Sequence, residues 1–197
     1  MRKIILVTIS LLIVPLAASA QTPQVQFYGG YAYTHTDSGG LTGAFDAGSR
    51  NWNGWEASFA TNFTRYVGVA FDFSGAYGPA VRSAVGTFTL SVREQTPYMY
   101  AYMVGPQFLL PMGRVKLFAH GLAGATQVKR GFTGVSFPVV RSDFAFGSAV
   151  GAGIDVSLTR YVALRLGQAD YLISKNFGGA QNNLRVSGGI VFEFGGR

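Results

Sequence analysis

Much of the chain is written in period two. Near its end Leu184, Val186, Gly188, Ile190, Phe192 and Phe194 take alternate positions, and Arg185, Ser187, Gly189, Val191 and Glu193 fill the gaps. Successive side chains of a strand point to opposite faces, so this pattern predicts a strand with one apolar face. Val67, Val69, Phe71 and Phe73 alternate in the same way with Gly68, Ala70, Asp72 and Ser74. So do Phe146, Val150, Ala152, Ile154 and Val156 with Gly147, Ala149, Gly151, Gly153 and Asp155. The pattern gives eight strands, at about 24–35, 52–63, 66–77, 97–110, 114–127, 144–157, 160–173 and 184–194. Short turns are expected near 62–65, 110–114 and 157–160, and long loops near 36–51, 76–96, 129–143 and 174–183. Short connections on one side and long ones on the other, with an even strand count, predict an all-β, eight-stranded antiparallel up-and-down transmembrane β-barrel. Whether Val81–Val92 lengthens strands three and four into a protruding hairpin stays open. No repeat motif stands out beyond the alternation itself.

Alternation does not say which face is inside. A barrel in water would be apolar inside and polar outside. Here the more polar face is mostly Gly, Ala and Ser with a few charges, which suits a crowded interior better than a wetted surface. Charged residues make up 13% of the chain and aromatics 14%, against about 25% charged in soluble domains. Apolar stretches such as Phe108–Met112 are far too short for a membrane helix, which needs about 20 residues. A chain that enters hydrocarbon without helices must close its strands into a barrel, because each backbone N–H and C=O has to be paired internally. Aromatics support two interface levels: Tyr31, Tyr33, Trp52, Trp55, Tyr98 and Tyr100 near loop ends, and Phe63, Tyr66, Phe108, Tyr161, Phe192 and Phe194 near turn ends.

Arg2 and Lys3, the apolar run Ile4–Ala17 and the Ala18-Ser19-Ala20 site read as a secretory signal peptide over 1–20. The remainder, 21–197, is then one barrel domain. No cysteine is present, which excludes disulfides, thiolate metal sites and cysteine nucleophiles. The formal net charge of +7 is spread singly over the chain, apart from Lys129-Arg130. It suits solvated loops or anionic lipid headgroups rather than nucleic acid.

The inward charges are expected to pair, since an isolated charge in a low-dielectric interior is costly. The expected lumen network is Glu56, Asp72, Lys116, His120, Asp155, Arg165, Gln168, Asp170, Arg185 and Glu193. The seventh strand has a difficulty. Strict alternation from Val162 points Arg165 inward but Gln168 and Asp170 into lipid. One extra residue at Leu166-Gly167 would flip the parity and bring all three inside. Catalysis finds little support: His35 and His120 are the two histidines, and Ser58, Ser148 and Asp155 are triad candidates without a motif. No ligand spacing suggests a metal, and no cofactor is expected. The chain does not read as an enzyme. A lumen-binding or lipid-modifying barrel, or a narrow channel, is the alternative.

Phe27-Tyr28-Gly29-Gly30-Tyr31, Asn53-Gly54-Trp55-Glu56-Ala57-Ser58, Val104-Gly105-Pro106-Gln107-Phe108, Gln168-Ala169-Asp170-Tyr171-Leu172 and the segment from Gln181 to Phe194 together carry a resemblance. The chain resembles small bacterial outer-membrane β-barrels akin to the membrane domain of outer membrane protein A. The resemblance implies an outer-membrane location, export through the secretory pathway, and lipid and lipopolysaccharide as surroundings. It also implies a C-terminal aromatic, Phe194 with Phe192, read by the barrel-assembly machinery, although Gly195-Gly196-Arg197 follows. It names no activity. A structural or surface-interaction role is the expectation, with four loops outside the cell and an extracellular partner left open.

Overall fold

The structure is a computed structural model. It describes residues 24–37, 50–79, 82–85, 90–94, 96–133, 139–176 and 181–195; the expected signal peptide lies outside them. Ten strands are present among these residues: β1 (Gln24–Asp37), β2 (Arg50–Asn62), β3 (Val67–Tyr77), β4 (Arg82–Val85), β5 (Leu90–Glu94), β6 (Tyr98–Met112), β7 (Val115–Thr133), β8 (Val139–Ser157), β9 (Val162–Ser174) and β10 (Gln181–Phe194). Eight of them form the wall in the order β1-β2-β3-β6-β7-β8-β9-β10, and β10 pairs back onto β1. The wall is antiparallel and closed. Strands β4 and β5 are a side hairpin, which joins β7 through Arg93–Thr133 and Glu94–Phe132. Within 81–92 the described residues therefore pair as a separate hairpin outside the barrel wall rather than as a continuation of β3 and β6, and 81 and 86–89 lie outside the described residues.

The faces sort as expected for a membrane. Phe146 and Leu166 are 68% and 62% exposed, while Arg185 and Asp155 are 2% and 0% exposed. An apolar surface this extensive cannot face water; it is the lipid side. Rings at the two ends form belts. Tyr31, Tyr33, Trp55 and Tyr77 lie outward near the loop end, and Phe27, Phe108, Tyr161, Phe192 and Phe194 lie outward near the turn end. Trp52 departs from the expected belt. It points inward and is buried against Ala76, Met99 and Val128, because it shares parity with Glu56 on β2.

Two further readings need correction. Residues 129–143 are mostly strand rather than loop: β7 and β8 stay paired as far as Phe132–Val139. A membrane strand needs about 9–11 residues, and β7 has 19, so the excess stands clear of the bilayer. There, polar residues carry no penalty and no longer mark a loop. A repeat also exists: Thr64-Arg65-Tyr66-Val67 and Thr159-Arg160-Tyr161-Val162 build the same turn. In each, the Thr Oγ1 accepts from the backbone N–H groups two and three residues on, at 3.2 and 3.0 Å. A Ser or Thr hydroxyl mimics a backbone turn acceptor in this way. The third short turn is Gly113-Arg114. Gly113 has φ 68°, a left-handed conformation that a two-residue hairpin favours and that glycine adopts without steric cost.

β9 carries the expected irregularity. Arg165 faces Gly189 and Gln168 faces Ser187, so Leu166 and Gly167 stand opposite Gly188 alone. Arg165, Gln168 and Asp170 all turn inward, and Leu166 and Ala169 face out. Deleting Leu166 should restore strict alternation with Arg165, Gln168 and Asp170 all still inward, whereas deleting Ala169 should set Gln168 and Asp170 on opposite faces and break part of the interior pairing. The expected loss is about 3–5 kcal/mol, the cost of breaking a buried ion pair. Urea unfolding in lipid vesicles measures it, and unchanged stability would contradict the role given to the bulge.

Candidate functional site

The lumen is filled by a chain of charge pairs that run between strands. Arg185 on β10 is its hub. Its Nε and Nη2 donate to Asp170 Oδ2 at 2.9 and 2.7 Å, and Nη1 donates to Asp72 Oδ1 at 2.9 Å. Glu56 Oε2 lies 3.3 Å from its Nε. One guanidinium thus gathers carboxylates from β2, β3 and β9. Arg165 is the second hub. Its Nε and Nη2 grip Asp155 through both oxygens at 2.8 and 3.0 Å, the bidentate geometry that suits a planar fork. The guanidinium lies 4.2 Å from the Tyr28 ring and 4.1 Å from the Phe118 ring, so two π faces supplement the carboxylate.

Gln168 joins the hubs. Its Oε1 accepts from Arg165 at 2.6 Å, and its Nε2 donates to Glu56 at 2.6 Å and Asp170 at 2.8 Å. A neutral amide both donates and accepts, so it can link a cation to two anions. His120 Nε2 sits 2.8 Å from the remaining Asp170 oxygen, Oδ1. Room for this pair comes from Gly151, where any Cβ would collide with the Asp170 carboxylate and the His120 ring. Toward the turn end Lys116 pairs with Glu193. Glu193 also accepts from Gln26 Nε2 at 3.0 Å, and Gln107 donates to Gln26 at 3.3 Å.

All ten residues expected in the lumen are inward and all take part in this pairing, though in two groups: Glu56, Asp72, Asp155, Asp170, His120, Gln168 and the two arginines in one, Lys116 and Glu193 in the other. Gln26, Gln107, Tyr28 and Phe118 belong to it as well, and sequence reasoning misses them. Their parity on β1, β6 and β7 is the signal that could find them. Among the described residues no hydrogen bond joins Ser58, Ser148 or Asp155 to a histidine, and Ser58 on β2 stands opposite Asp72 on β3. Ser148 lies on the outer face between inward Gly147 and Ala149, Asp155 is held by Arg165, and His35 contacts Asn51 on the outer wall. Phe192 and Phe194 face lipid beside β1, with the Phe194 ring 6.2 Å from Phe27.

A closed all-strand wall, apolar outside and polar inside, with aromatic rings at both ends, defines a transmembrane β-barrel of the outer-membrane kind. The chain belongs to the outer membrane protein beta-barrel domain family, whose model matches residues 5–195. It is a protein of the bacterial outer membrane. No curated protein matches it in sequence. Among solved structures it is similar to Ail, the attachment invasion locus protein of Yersinia pestis, in complex with the heparin analogue sucrose octasulfate. That match has 18% identity and a TM-score of 0.61, and covers 88% of this chain and 100% of that one. Neisserial surface protein A matches at 14% identity and a TM-score of 0.57 over 86% and 97% of the two chains. A major outer membrane protein of Thermus thermophilus matches at 10% and 0.56 over 86% and 99%. At these identities the likeness is one of fold.

Replacing Arg185 by Met should leave three carboxylates facing one another without their shared cation. Removing one partner of a buried pair costs about 3–5 kcal/mol. Urea unfolding should show that loss for Arg185→Met and little change for Arg160→Met at an exposed turn. Equal stability of the two variants would contradict the hub role.

Proposed function

We propose that this chain is a non-enzymatic surface-interaction barrel whose loop end binds anionic polymers, lipopolysaccharide phosphates foremost. The observation that carries the reading is a register of arginines. Arg82 stands directly opposite Arg93, and Arg130 directly opposite Arg141. β5 joins β7 at Arg93–Thr133, so both pairs and Lys129 belong to one continuous piece of sheet beyond the membrane. Like charges directly opposed across two strands are destabilising. By register the two pairs fall on opposite faces of that sheet, Arg82–Arg93 on the face of Lys129 and Arg130–Arg141 on the other, and each makes sense where an anion neutralises it.

The remaining features agree with this reading. Three short turns mark the periplasmic side by the usual build of such barrels, so the arginine sheet and the four longer connections face outward from the cell. The interior, filled by chords of paired side chains, makes a plug rather than a pore, as a barrel of about eight strands allows. Ail, similar in fold, has been crystallised with a sulfated heparin analogue, which is ligand chemistry of the kind opposed arginines would take. Residues 1–20 serve as the export signal, and Phe192 and Phe194 serve the assembly machinery.

The test uses the full barrel in nanodiscs. Binding to immobilised lipopolysaccharide and to heparin should fall at least tenfold in Arg130→Glu/Arg141→Glu, and should weaken steeply with salt as exposed charges are screened. Loss on lipopolysaccharide alone identifies its phosphates as the ligand; loss on heparin alone identifies a sulfated polysaccharide. Binding that is unchanged and insensitive to salt would overturn the proposal.

A further inference from the structure

The charge in the middle of the lumen does not balance. Glu56 on β2, Asp72 on β3, Asp155 on β8 and Asp170 on β9 meet Arg165 on β9, Arg185 on β10 and His120 on β7. Even with His120 counted as a cation, four acids face three positive groups. Lys116 on β7 is held by Glu193 toward the turn end. Tyr28 on β1, beside Arg165, carries no positive charge, and β6 places Met103 opposite Asp72. An uncompensated charge in a low-dielectric interior is costly. The hydrogen bonds locate the excess. Both oxygens of Asp155 and of Asp170, Glu56 Oε1 and Asp72 Oδ1 are hydrogen-bonded. Glu56 Oε2 and Asp72 Oδ2 have no partner. The nearest cation to Glu56 Oε2 is Arg185 Nε at 3.3 Å, and that N–H donates to Asp170. Glu56 and Asp72 point inward from adjacent strands, opposite Ser74 and Ser58. Each is 1% exposed, and the two carboxyl groups are in hydrogen-bonding contact with each other. Neither free oxygen has surface open to a water molecule.

We propose that Glu56 and Asp72 form a proton-binding site and share one proton at neutral pH. A protonated carboxyl gains an O–H donor and keeps acceptor capacity. A proton on Glu56 Oε2 donates to Asp72 Oδ2, or the reverse, so one proton gives both free oxygens a partner. It also removes the excess charge, leaving three anions against Arg165, Arg185 and His120. Two carboxylates that share one site do not both ionise readily, and the proton belongs to the pair rather than to either residue. A metal cation is the other way to neutralise them. It needs a space of its own and several oxygen ligands at about 2.0–2.6 Å, and among the described residues no group of three or more acids and histidines is placed to hold one. In the unfolded chain both groups are ordinary carboxyls, ionised at neutral pH. The folded barrel then binds more protons than the unfolded chain, so its stability falls as rising pH removes this one. The site is separate from the arginine sheet outside, and each can fail without the other.

Infrared spectra of the full barrel, folded in phosphatidylcholine vesicles, read the proton directly. At neutral pH the wild-type barrel should show the C=O stretch of a protonated carboxyl, on the high-frequency side of the amide I band. Unfolding and refolding in ²H₂O should shift that stretch downward, because the proton is then exchanged. Glu56→Gln and Asp72→Asn should each abolish it. Either amide supplies an N–H where the proton stood, so both variants should unfold at close to the wild-type urea concentration at neutral pH. Raising the pH to about 10, just below the ordinary lysine range, should lower the wild-type midpoint. At least half of that fall should be missing in Glu56→Gln. If this variant does not fold, Asp72→Asn carries the same comparison. A wild-type barrel without the protonated-carboxyl stretch at neutral pH would overturn the proposal. A stretch that persists in both variants would overturn it too, since the proton would then sit elsewhere. A midpoint that rises with sodium at fixed ionic strength, without the stretch, would assign the pair to a bound cation instead.

Discussion

A backbone amide in hydrocarbon has no water to turn to. Every N–H and C=O of the membrane-spanning strands must therefore find another strand, and the pairing of β10 with β1 leaves the wall without an edge. The rest follows from this closure. Closing few strands makes the lumen narrow, so inward positions favour glycine, alanine and serine except where a larger side chain reaches across. Strict alternation then assigns each residue to lipid or lumen. A chain that must place charge within the membrane has one side on which to put it.

Once inside, charge has to be compensated within side-chain reach. The barrel does this across its width as well as along its wall. Arg185 on β10 reaches Asp72 on β3, Lys116 on β7 reaches Glu193 on β10, and Gln107 on β6 reaches Gln26 on β1. Each of these contacts joins strands distant in wall order, so the interior fixes the cross-section while neutralising itself. The buried pairs are costly to break, which is a weaker statement than that they stabilise relative to an apolar filling. Their clearer effect is on geometry. Slipping β9 by one residue would carry Arg165, Gln168 and Asp170 into lipid together.

Alternation makes the wall strands and their facing legible, because the lipid–lumen boundary acts on every residue. The bulge in β9 is legible for a related reason: Asp170 facing hydrocarbon is the worse choice. Three things are not. Partner choice in the lumen depends on register around the whole barrel, so nothing local tells Arg185 to take Asp72, 113 residues away. The extension of β7 and β8 lies where water replaces lipid, and there Lys129 and Arg130 resemble any polar loop. Residue type alone assigns Trp52 to the belt, although its parity with Glu56 puts it inside. Parity is the better guide, since a belt residue must first face out.

The two ends of the barrel are under unequal constraint. At the turn end the connections are minimal, and two of the three repeat a single Thr-Arg-Tyr-Val device, so that end is specified by geometry alone. Through the membrane both faces are committed, one to lipid and the other to the charge network. Among the described residues, sequence that closure does not explain lies beyond the loop-side belt: the paired extension of β7 and β8 and the β4–β5 hairpin docked on it. A fold shared by proteins as different as those it resembles does not define a function. Function belongs where the chain departs from what the fold requires, and in this barrel those departures lie on one side of the membrane.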